Sequence, residues 1–473
     1  MIVSYTPAKA FLVTIPDANF RAYLQTRYKA CFVGAQMETI CKSITSATIL
    51  DVSGLSITNL SGIKYFIKLE TLACDNNQLT VLPTLPASIQ ILRCINNQLT
   101  VLPTLPKSLK SLDCSDNQLT ILPTLPEGLK ELQCVVNQLT ILPALPASIQ
   151  ILRCSSNQLT VLPTLPTSIQ SLGCSNNQLT NLPALPESIQ ALRCETNKLT
   201  SLPALPESIQ ALRCYNNPLT VLPTLPASLQ ELWCSNNQLT VLPTLPASLQ
   251  ELGCPNNQLT VLPTLPANLK TLDCSINQLT VLPTLPASLE GLICFSNQLT
   301  LLPTLPASLR KLMCSSNQLT ILPTLPAGLG TLGCSGNQLT ILPILPASLR
   351  TLYCTHNQLD FANLLTSMEA INTGSGDYSI HPQSYTILPA SQSLTSGATL
   401  TINGAVDGTQ NKYEWYKNGV RISEATSATL SIPNVTTTDA GNYECKVKST
   451  FVRVGTTKEL YYQRVGRVVV VIL

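Results

Sequence analysis

Cysteine is the residue type whose number and spacing in this sequence could carry chemistry. Fifteen of the eighteen cysteines recur at twenty-residue steps from Cys74 to Cys354, without a Cys-x-x-Cys pair. Such thiols could act as nucleophiles, disulfides or metal ligands, but a metal site needs several ligands that converge on one point. A single file of thiols favours a column of small buried apolar side chains, placed where leucine would be too large. A metal or redox role is the less favoured alternative.

Histidine and the carboxylates offer little for catalysis. The two histidines, His356 and His381, have no cysteine, serine or acidic partner at a recognisable catalytic spacing. The chain has neither a glycine-rich loop that could cradle a phosphate nor a carboxylate pair set apart from the repeat. We therefore expect no enzymatic activity, no catalytic residues, no cofactor and no metal site.

Composition limits the partners of the protein. With 28 Lys and Arg against 25 Asp and Glu, and 11% charged residues, the chain lacks the broad basic surface that nucleic acid or anionic lipid requires. No apolar run approaches the ~20 residues that span a bilayer. The 35 prolines argue against an ordinary helical domain, because proline breaks helix interiors. We expect extended structure, no nucleic-acid binding and no membrane span.

The cellular compartment is left open by the N-terminal segment. Residues 1–16 make a poor secretory signal, so either the protein is cytoplasmic or its export signal lies outside the supplied sequence. Cys31 and Cys41 stand outside the regular ladder and could pair with each other in an oxidising compartment. Two free thiols are the alternative.

A twenty-residue unit recurs from about Leu69 to Leu359, and one copy, beginning at Leu229, reads LQELWCSNNQLTVLPTLPAS. It matches the LxxLxLxxNxL pattern of leucine-rich repeats, with cysteine in the third apolar slot. Strand side chains alternate, so Leu232 and Cys234 should point inward from a short parallel strand while their neighbours point outward on the concave face. Asn237 should bond the backbone of neighbouring turns, and the LPxLP segment should return in an extended path along the convex side.

Both ends of the repeat array should be closed by caps, because a terminal repeat exposes an apolar face. We predict an N-terminal helix with Pro16 in its first turn and with Phe20, Tyr23, Leu24 and Tyr28 on one face. This cap and divergent repeats occupy residues 1–68. The repeat array and a closing helix at 361–371 extend over residues 69–371, and 372–380 is a linker.

Short β-rich stretches replace the repeat from about Tyr378, and residues 381–473 resemble an immunoglobulin-like β-sandwich. Trp415 and Cys445 correspond to the core positions of strands C and F, and Tyr443 matches the tyrosine-corner position. Ile402 stands where the partner cysteine is usual. Cys445 should therefore be a buried free thiol that packs on Trp415 and Ile402. The domain is either a spacer, which we favour, or a second binding module.

Family resemblances come from the IPDANF segment at Ile15, the LDVSG and ITNLSGI segments that follow Leu50, and the LxCxxNQLT units. Together they resemble secreted leucine-rich-repeat proteins of the Bacteroidetes type, which implies a bacterial exported or surface protein. The LPxLP units also resemble the repeats of type III secreted effectors. Some of those effectors carry a large helical ubiquitin-ligase domain, whereas a linker and a β-rich domain follow the repeats here, so ligase activity is not expected.

The repeats act as an internal alignment that separates scaffold from surface. The position before each cysteine changes at nearly every step while NQLT barely changes. Arg193, Arg213 and Trp233 are neighbours in this variable column, with Tyr215 alongside, and these residue types dominate interface hot spots. A second patch of candidate binding residues, Ile293, Phe295 and Met313, should be exposed and apolar. Unconstrained drift of surface positions is the alternative for both patches.

The favoured function is a non-enzymatic recognition or adhesion protein that binds a protein or glycan on the concave face. A structural cell-surface array without a specific ligand is the first alternative, supported by the near-uniform repeats. A host-directed effector without a catalytic domain is the second. The favoured location is secreted or cell-surface, with the cytoplasm as the alternative.

Overall fold

The computed structural model describes residues 11–359, 377–379, 391–405, 411–453 and 456–473. It divides into two compact units, Met1–Leu239 and Thr240–Leu473. The fold is mainly β, with stacked parallel strands and a C-terminal immunoglobulin-like region, which confirms the predicted fold class. The closing helix predicted at 361–371 and His381 lie outside the described residues.

A small cap opens the first unit. Its three strands form an antiparallel sheet in the order β1-β3-β2, and the elements are β1 (Leu12–Thr14), α1 (Ala18–Arg27), β2 (Phe32–Val33), β3 (Gln36–Glu38) and α2 (Lys42–Thr45), with 3-10 turns at Lys29–Cys31 and Ile63–Tyr65. Cys31 and Cys41 form a disulfide with Cα atoms 5.5 Å apart, so the pairing that the sequence left open is present.

Helix α1 begins later than predicted. Asp17 is its N-cap and accepts a 2.8 Å hydrogen bond from the Phe20 N–H, so Pro16 precedes the cap and does not lie in the first turn. The other carboxylate oxygen of Asp17 accepts the Thr58 N–H at 2.8 Å, which joins the cap to the first divergent repeat. Phe20 and Leu24 are fully buried.

Each regular repeat contributes a three-residue strand that pairs in parallel with its neighbour. In the first unit, residues pair at an offset of twenty along the regular array, and the strands are β4 (Ile49–Asp51), β5 (Thr71–Ala73), β6 (Ile91–Arg93), β7 (Ser111–Asp113), β8 (Glu131–Gln133), β9 (Ile151–Arg153), β10 (Ser171–Gly173), β11 (Ala191–Arg193), β12 (Ala211–Arg213) and β13 (Glu231–Trp233).

The second unit repeats this arrangement. Its parallel strands are β14 (Glu251–Gly253), β15 (Thr271–Asp273), β16 (Gly291–Ile293), β17 (Lys311–Met313), β18 (Thr331–Gly333), β19 (Thr351–Tyr353) and β20 (Asp377–Ser379). Strand β20 pairs with β19. Residues 377–379 of the predicted linker at 372–380 thus form a strand, because the open edge of β19 offers hydrogen-bonding groups to a further strand.

The repeat buries its leucines and thiols on one side of the sheet. Leu232 and Cys234 are fully buried, and the same is true of their counterparts in the other repeats. The Asn237 side chain donates hydrogen bonds of 3.0–3.2 Å to the carbonyls of Cys214, Cys234 and Ser235. Its carboxamide oxygen accepts the Leu219 N–H at 3.0 Å. Each asparagine thus satisfies backbone groups of two successive repeats that would otherwise be buried without partners.

The LPxLP segments contain neither helix nor strand in the described repeats. Their leucines are largely buried, as Leu242 at 4% and Leu245 at 7% exposure illustrate. The apolar residue that precedes this segment remains exposed in most repeats, for example Val221 at 54% and Ile321 at 60%. The core of each repeat is therefore built from the leucine and cysteine of the strand together with the leucines of the LPxLP segment.

The immunoglobulin-like region has two sheets. The larger has the order β21-β27-β26-β23-β24 and the smaller pairs β22 with β25; the strands are β21 (Ser391–Leu394), β22 (Leu400–Asn403), β23 (Asn411–Lys417), β24 (Val420–Arg421), β25 (Thr429–Ile432), β26 (Gly441–Arg453) and β27 (Thr456–Ile472), with a 3-10 turn at Thr437–Asp439. The core includes Trp415, Tyr443, Cys445 and Ile402, each at most 2% exposed.

Two hydrogen bonds fix the large aromatic side chains of this core. The Trp415 indole N–H donates to the Ser427 carbonyl at 2.9 Å, and the Tyr443 hydroxyl donates to the Asp439 carbonyl at 2.8 Å. Cys445 lies directly opposite Trp415 in the β23–β26 pairing and is a thiol, without a disulfide. The tyrosine contact has the geometry of a tyrosine corner.

Candidate binding face

The outward positions of the repeat strands form the candidate site. In the first unit, the pairing of β11 with β12 and of β12 with β13 places Arg193 beside Arg213 and Arg213 beside Trp233. Neighbouring strands lie about 4.8 Å apart, so these side chains form one continuous file. Arg193 is exposed, whereas Arg213 and Trp233 are partly buried by their neighbours.

Arg213 is committed to a contact within the protein. Its Nη2 and Nε atoms lie 2.6 and 2.7 Å from Oε1 of Glu231 on the adjacent strand. Both side chains retain some solvent contact, so the pair chiefly fixes the direction of the guanidinium and screening by solvent limits its contribution to stability. Arg193, by contrast, has neither an ion pair nor a side-chain hydrogen bond within the described part of the chain. It is the available cation of this group.

Tyr215 and Glu195 form a partly buried polar pair beside the arginines. Burial raises the pKa of Tyr215, and the negative charge of Glu195 raises it further. Oε2 of Glu195 is buried with no hydrogen-bond partner among the described residues. A buried carboxylate oxygen in this state can accept an N–H or O–H from a bound molecule, which would remove the cost of leaving it unpaired.

The second predicted patch is less exposed than the sequence suggested. Ile293 pairs with Met313 across β16 and β17, and both, like Phe295, are partly buried. A Cβ atom built on Gly333 would lie 2.8 Å from both Sδ and Cε of Met313, so the thioether covers the glycine of the next strand. The flexible methionine fills the gap that glycine leaves, and this packing reduces the apolar area available to a partner.

The cysteine ladder is chemically quiet. Burial raises the pKa of Cys154 and of Cys214 to about 12, so neither thiol is ionised near neutral pH. Within the described residues, no group of three or more His, Cys, Asp or Glu side chains could hold a metal ion. His356 is exposed, and its Nδ1 lies 3.1 Å from the Thr355 hydroxyl. This arrangement gives neither a thiolate nucleophile nor a base that could activate one.

Sequence reasoning did not single out a cavity of about 320 Å³ on the outward face of β9, β10 and β11. Its lining residues are Val135, Arg153, Ser155, Ser171, Gly173, Ala191 and Arg193. The sequence did contain a signal for this cavity. Gly173 occupies the variable column in β10, and the outward position two residues before the column is also small in β10 (Ser171) and in β11 (Ala191). A search of the variable column for large side chains passes over glycine positions, although these can leave a cavity.

The parallel leucine strands, the buried thiols and the asparagine ladder define the class of leucine-rich-repeat proteins. A family model described as Leucine Rich Repeat matches residues 108–132 and 228–252, and one described as Immunoglobulin domain matches residues 382–449. The chain belongs to the leucine-rich-repeat family. No helix among the described residues is long and apolar enough to cross a membrane.

Solved structures of bacterial proteins resemble this chain. YopM, a leucine-rich effector protein from Yersinia pestis, is 35% identical with a TM-score of 0.61, over 71% of this chain and 89% of that one. YopM from Yersinia enterocolitica WA-314 is 30% identical with a TM-score of 0.52, over 71% and 91% of the two chains. The functional domain of InlJ from Listeria monocytogenes, which includes a cysteine ladder, shares the fold at 22% identity, with a TM-score of 0.66 and 97% of each chain covered. No curated protein sequence matches the chain significantly.

Proposed function

We propose that this chain is a non-enzymatic recognition protein that binds a protein partner on the outward face of its parallel strands. The observation that carries the proposal is the register of the repeats. It stacks the variable residues side by side on one face, while the constant leucines and cysteines are buried. Proteins of this family generally bind other proteins, and the matched families are typically non-catalytic.

The proposed contact residues belong to the variable column or, as Tyr215 and Phe295 do, lie beside it two positions further along the chain. In the first unit they are Arg193, Arg213, Tyr215 and Trp233, and in the second unit Ile293, Phe295 and Met313. Trp233 supplies the large partly exposed surface and Arg193 the unpaired charge, both typical of interface hot spots. A glycan could use the same aromatic and polar groups and is the alternative ligand. The immunoglobulin-like region then acts as a spacer.

The proposed source is a bacterium and the proposed location is outside its cytoplasm. The similarity to YopM and the resemblance of the IPDANF and LDVSG segments to secreted Bacteroidetes-type proteins support a bacterial exported protein. The disulfide between Cys31 and Cys41 supports an oxidising compartment, because such bonds are rare in cytosolic proteins. A host-directed effector without a catalytic domain is the second candidate, favoured by the 35% identity to a leucine-rich effector.

The test is a binding screen of the full chain against arrayed surface proteins and glycans. For a partner that the screen identifies, the Arg193→Ala, Trp233→Ala double variant should bind about a hundredfold more weakly than the unmodified chain, the typical result of removing hot-spot side chains. Val221→Ala, which truncates an exposed side chain of the return segment, is the matched control. Equal binding by the double variant and the control would reject this face as the binding surface, and circular dichroism checks that both variants fold.

A further inference from the structure

The cavity over β10 exists because this strand has no large outward side chain. Gly173 is buried although it lies on the outward side, and the neighbouring positions carry the small Ser171 and Ala191. A Cβ built on Gly173 would meet its nearest atom, the Ser155 hydroxyl oxygen, at an ordinary 3.6 Å. The comparable space over Gly333 is covered by the Met313 thioether. Beside Gly173, where Arg153 Cγ is the next nearest side-chain atom at 3.8 Å from that Cβ position, the cavity is left unfilled.

Arginines flank this opening, and they differ from other arginines of the same column. Arg93 pairs with Asp75 at 2.8 Å, and Arg213 pairs with Glu231 at 2.6 Å. Among the described residues, the Arg153 side chain has one polar contact, at 3.4 Å to the neutral side chain of Gln133. Arg193 makes no such contact within the described residues. The two arginines that lack a carboxylate are thus the two that line the cavity.

The spacing suits convergence on one anion. Arg153 and Arg193 lie opposite Gly173 on either side of it, so their Cα atoms are about 10 Å apart, two strand separations. Both side chains are exposed and long enough to turn towards the glycine between them. No carboxylate lines the cavity, and the nearest one along the chain, Glu195, lies two residues beyond Arg193. The lining therefore has a formal charge of plus two.

The uncharged lining residues indicate which anion fits. The Ser155 hydroxyl oxygen accepts the Ser175 N–H at 3.2 Å, which leaves its own hydrogen free to donate. Ser171 also lines the cavity, whereas Val135 and Ala191 add apolar surface. An anionic head with a short hydrocarbon stem matches both kinds of surface. An aspartate or glutamate side chain has this form, and arginine recognises carboxylates through paired hydrogen bonds.

We infer that the cavity at Gly173 is a carboxylate-binding subsite that receives an aspartate or glutamate side chain from an acidic segment of a protein partner. Arg153 and Arg193 hold the carboxylate, and the Ser155 and Ser171 hydroxyls donate to its oxygens. The inference rests on the proposed function, which it deepens by giving the chemistry of the partner. It extends the binding surface from Arg193 towards lower residue numbers.

The test titrates the full chain with a synthetic peptide in which four glutamates are flanked by Gly-Ser, and with the same peptide carrying four glutamines. The glutamate peptide should bind and the glutamine peptide should not. Arg153→Gln and Arg193→Gln should each weaken binding about tenfold, the loss of one charge-assisted contact. Arg350→Gln removes an equal charge from an exposed position that does not line the cavity and should have little effect.

Steric variants separate the cavity from its charge. Gly173→Trp should fill the opening and abolish binding, and tryptophan is compatible with this strand position because Trp233 occupies it in β13. Gly173→Ala should retain binding, since its Cβ makes only ordinary contacts. If the tryptophan variant does not fold, the Arg153→Gln, Arg193→Gln double variant still tests whether the two arginines that line the cavity bind the peptide. Equal binding of the two peptides, or equal weakening by Arg350→Gln and Arg193→Gln, would overturn the subsite.

A heparin-derived oligosaccharide distinguishes a protein anion from a glycan anion. Cavity-dependent binding of the oligosaccharide without binding of the glutamate peptide would overturn the assignment to an acidic protein. The two proposals also fail separately. Peptide binding that is lost in the Arg153→Gln variant, together with an array hit whose affinity is unchanged in Trp233→Ala alone, would retain the subsite and reject the proposed interface, because neither substitution alters the Arg193 that both sites share. An array hit lost at Trp233 without peptide binding would do the reverse.

Discussion

The repeat array and the immunoglobulin-like region both bury thiols among apolar side chains, but they distribute stability differently. In the repeats, the same buried leucine or isoleucine positions, one cysteine and one asparagine recur at every turn, so each buried side chain supports only its own turn and the adjacent ones. In the immunoglobulin-like region, Trp415 and Tyr443 are the largest fully buried side chains and have no counterparts. Repetition thus leaves the outward positions free to vary, whereas the sandwich depends on single residues.

Alkaline pH should separate the two regions most strongly. Burial raises the pKa of Cys214 and of Cys445 to about 12, whereas an unfolded thiol has a pKa of about 8.5. Between these values the unfolded chain has released the thiol proton and the folded protein retains it. The free energy of unfolding therefore falls as pH rises, by about 1.4 kcal/mol per pH unit for each thiol that unfolding exposes.

The number of thiols sets the expected contrast. A block of repeats that unfolds together loses this amount once per repeat, while the immunoglobulin-like region loses it once, for Cys445. Guanidinium denaturation at about pH 8 and about pH 9.5, with hydrogen exchange to resolve the regions, measures both slopes. Cys445→Ala should remove the thiol contribution of the sandwich alone. Equal pH dependence of the two regions would contradict the comparison.

Truncation of Trp415 should destabilise the sandwich and leave the repeats folded. The side chain is fully buried and its indole N–H bonds the Ser427 carbonyl, so Trp415→Ala should cost about 3–5 kcal/mol in the free energy of unfolding. The chain has two tryptophans, so Trp233 fluorescence reports the first unit without interference in this variant. Trp415→Phe, which keeps an aromatic ring but loses the hydrogen bond, should cost less. An equal shift of both regions would refute their independence.

Removal of one ladder asparagine should cost less than the loss of Trp415. Asn237→Ala leaves the Leu219 N–H without its partner and withdraws a donor from the Cys214 and Cys234 carbonyls. We expect a loss of about 2–3 kcal/mol, the desolvation cost of a buried group left unpaired. Hydrogen exchange should rise in the adjacent repeats only. The exposed neighbour in Gln238→Ala serves as the control, and an equal effect there would argue against the ladder.

The sequence predicted most of the fold because the same physical requirement recurs in every repeat. Leu232 and Cys234 could be placed inside because strand side chains alternate, and the leucine-rich-repeat pattern predicted the parallel strands. Strand β20 was missed because it lies outside the periodic pattern, and the start of α1 was misplaced because Asp17 caps it. These positions depend on single contacts, which no repetition reveals.

The candidate site was less predictable than the fold for a related reason. Residue types at outward positions do not show how neighbouring side chains meet, so the engagement of Arg213 by Glu231 and the covering of Gly333 by Met313 were not foreseen. The cavity at Gly173 depends on what is missing from three adjacent strands. Sequence patterns therefore located the face, and side-chain packing determines which of its groups remain available.

A smaller effect is expected at a repeat whose residue type departs from the backbone preference of most others. Ile276 has a φ of 52°, a left-handed conformation that most repeats assign to Asn, Asp, Ser or Gly. A β-branched side chain is strained there, and Ile276 is 45% exposed, so Ile276→Asn should raise the free energy of unfolding by about 1 kcal/mol. Val221→Asn replaces a similarly exposed side chain that is not among the positive-φ residues and should give no gain. Thermal denaturation of both variants measures the difference.

Because the strain belongs to one turn, the gain from Ile276→Asn should appear as slower hydrogen exchange around residue 276 and not in the sandwich. A gain spread over both regions would mean that the repeats do not confine the effect of a local change.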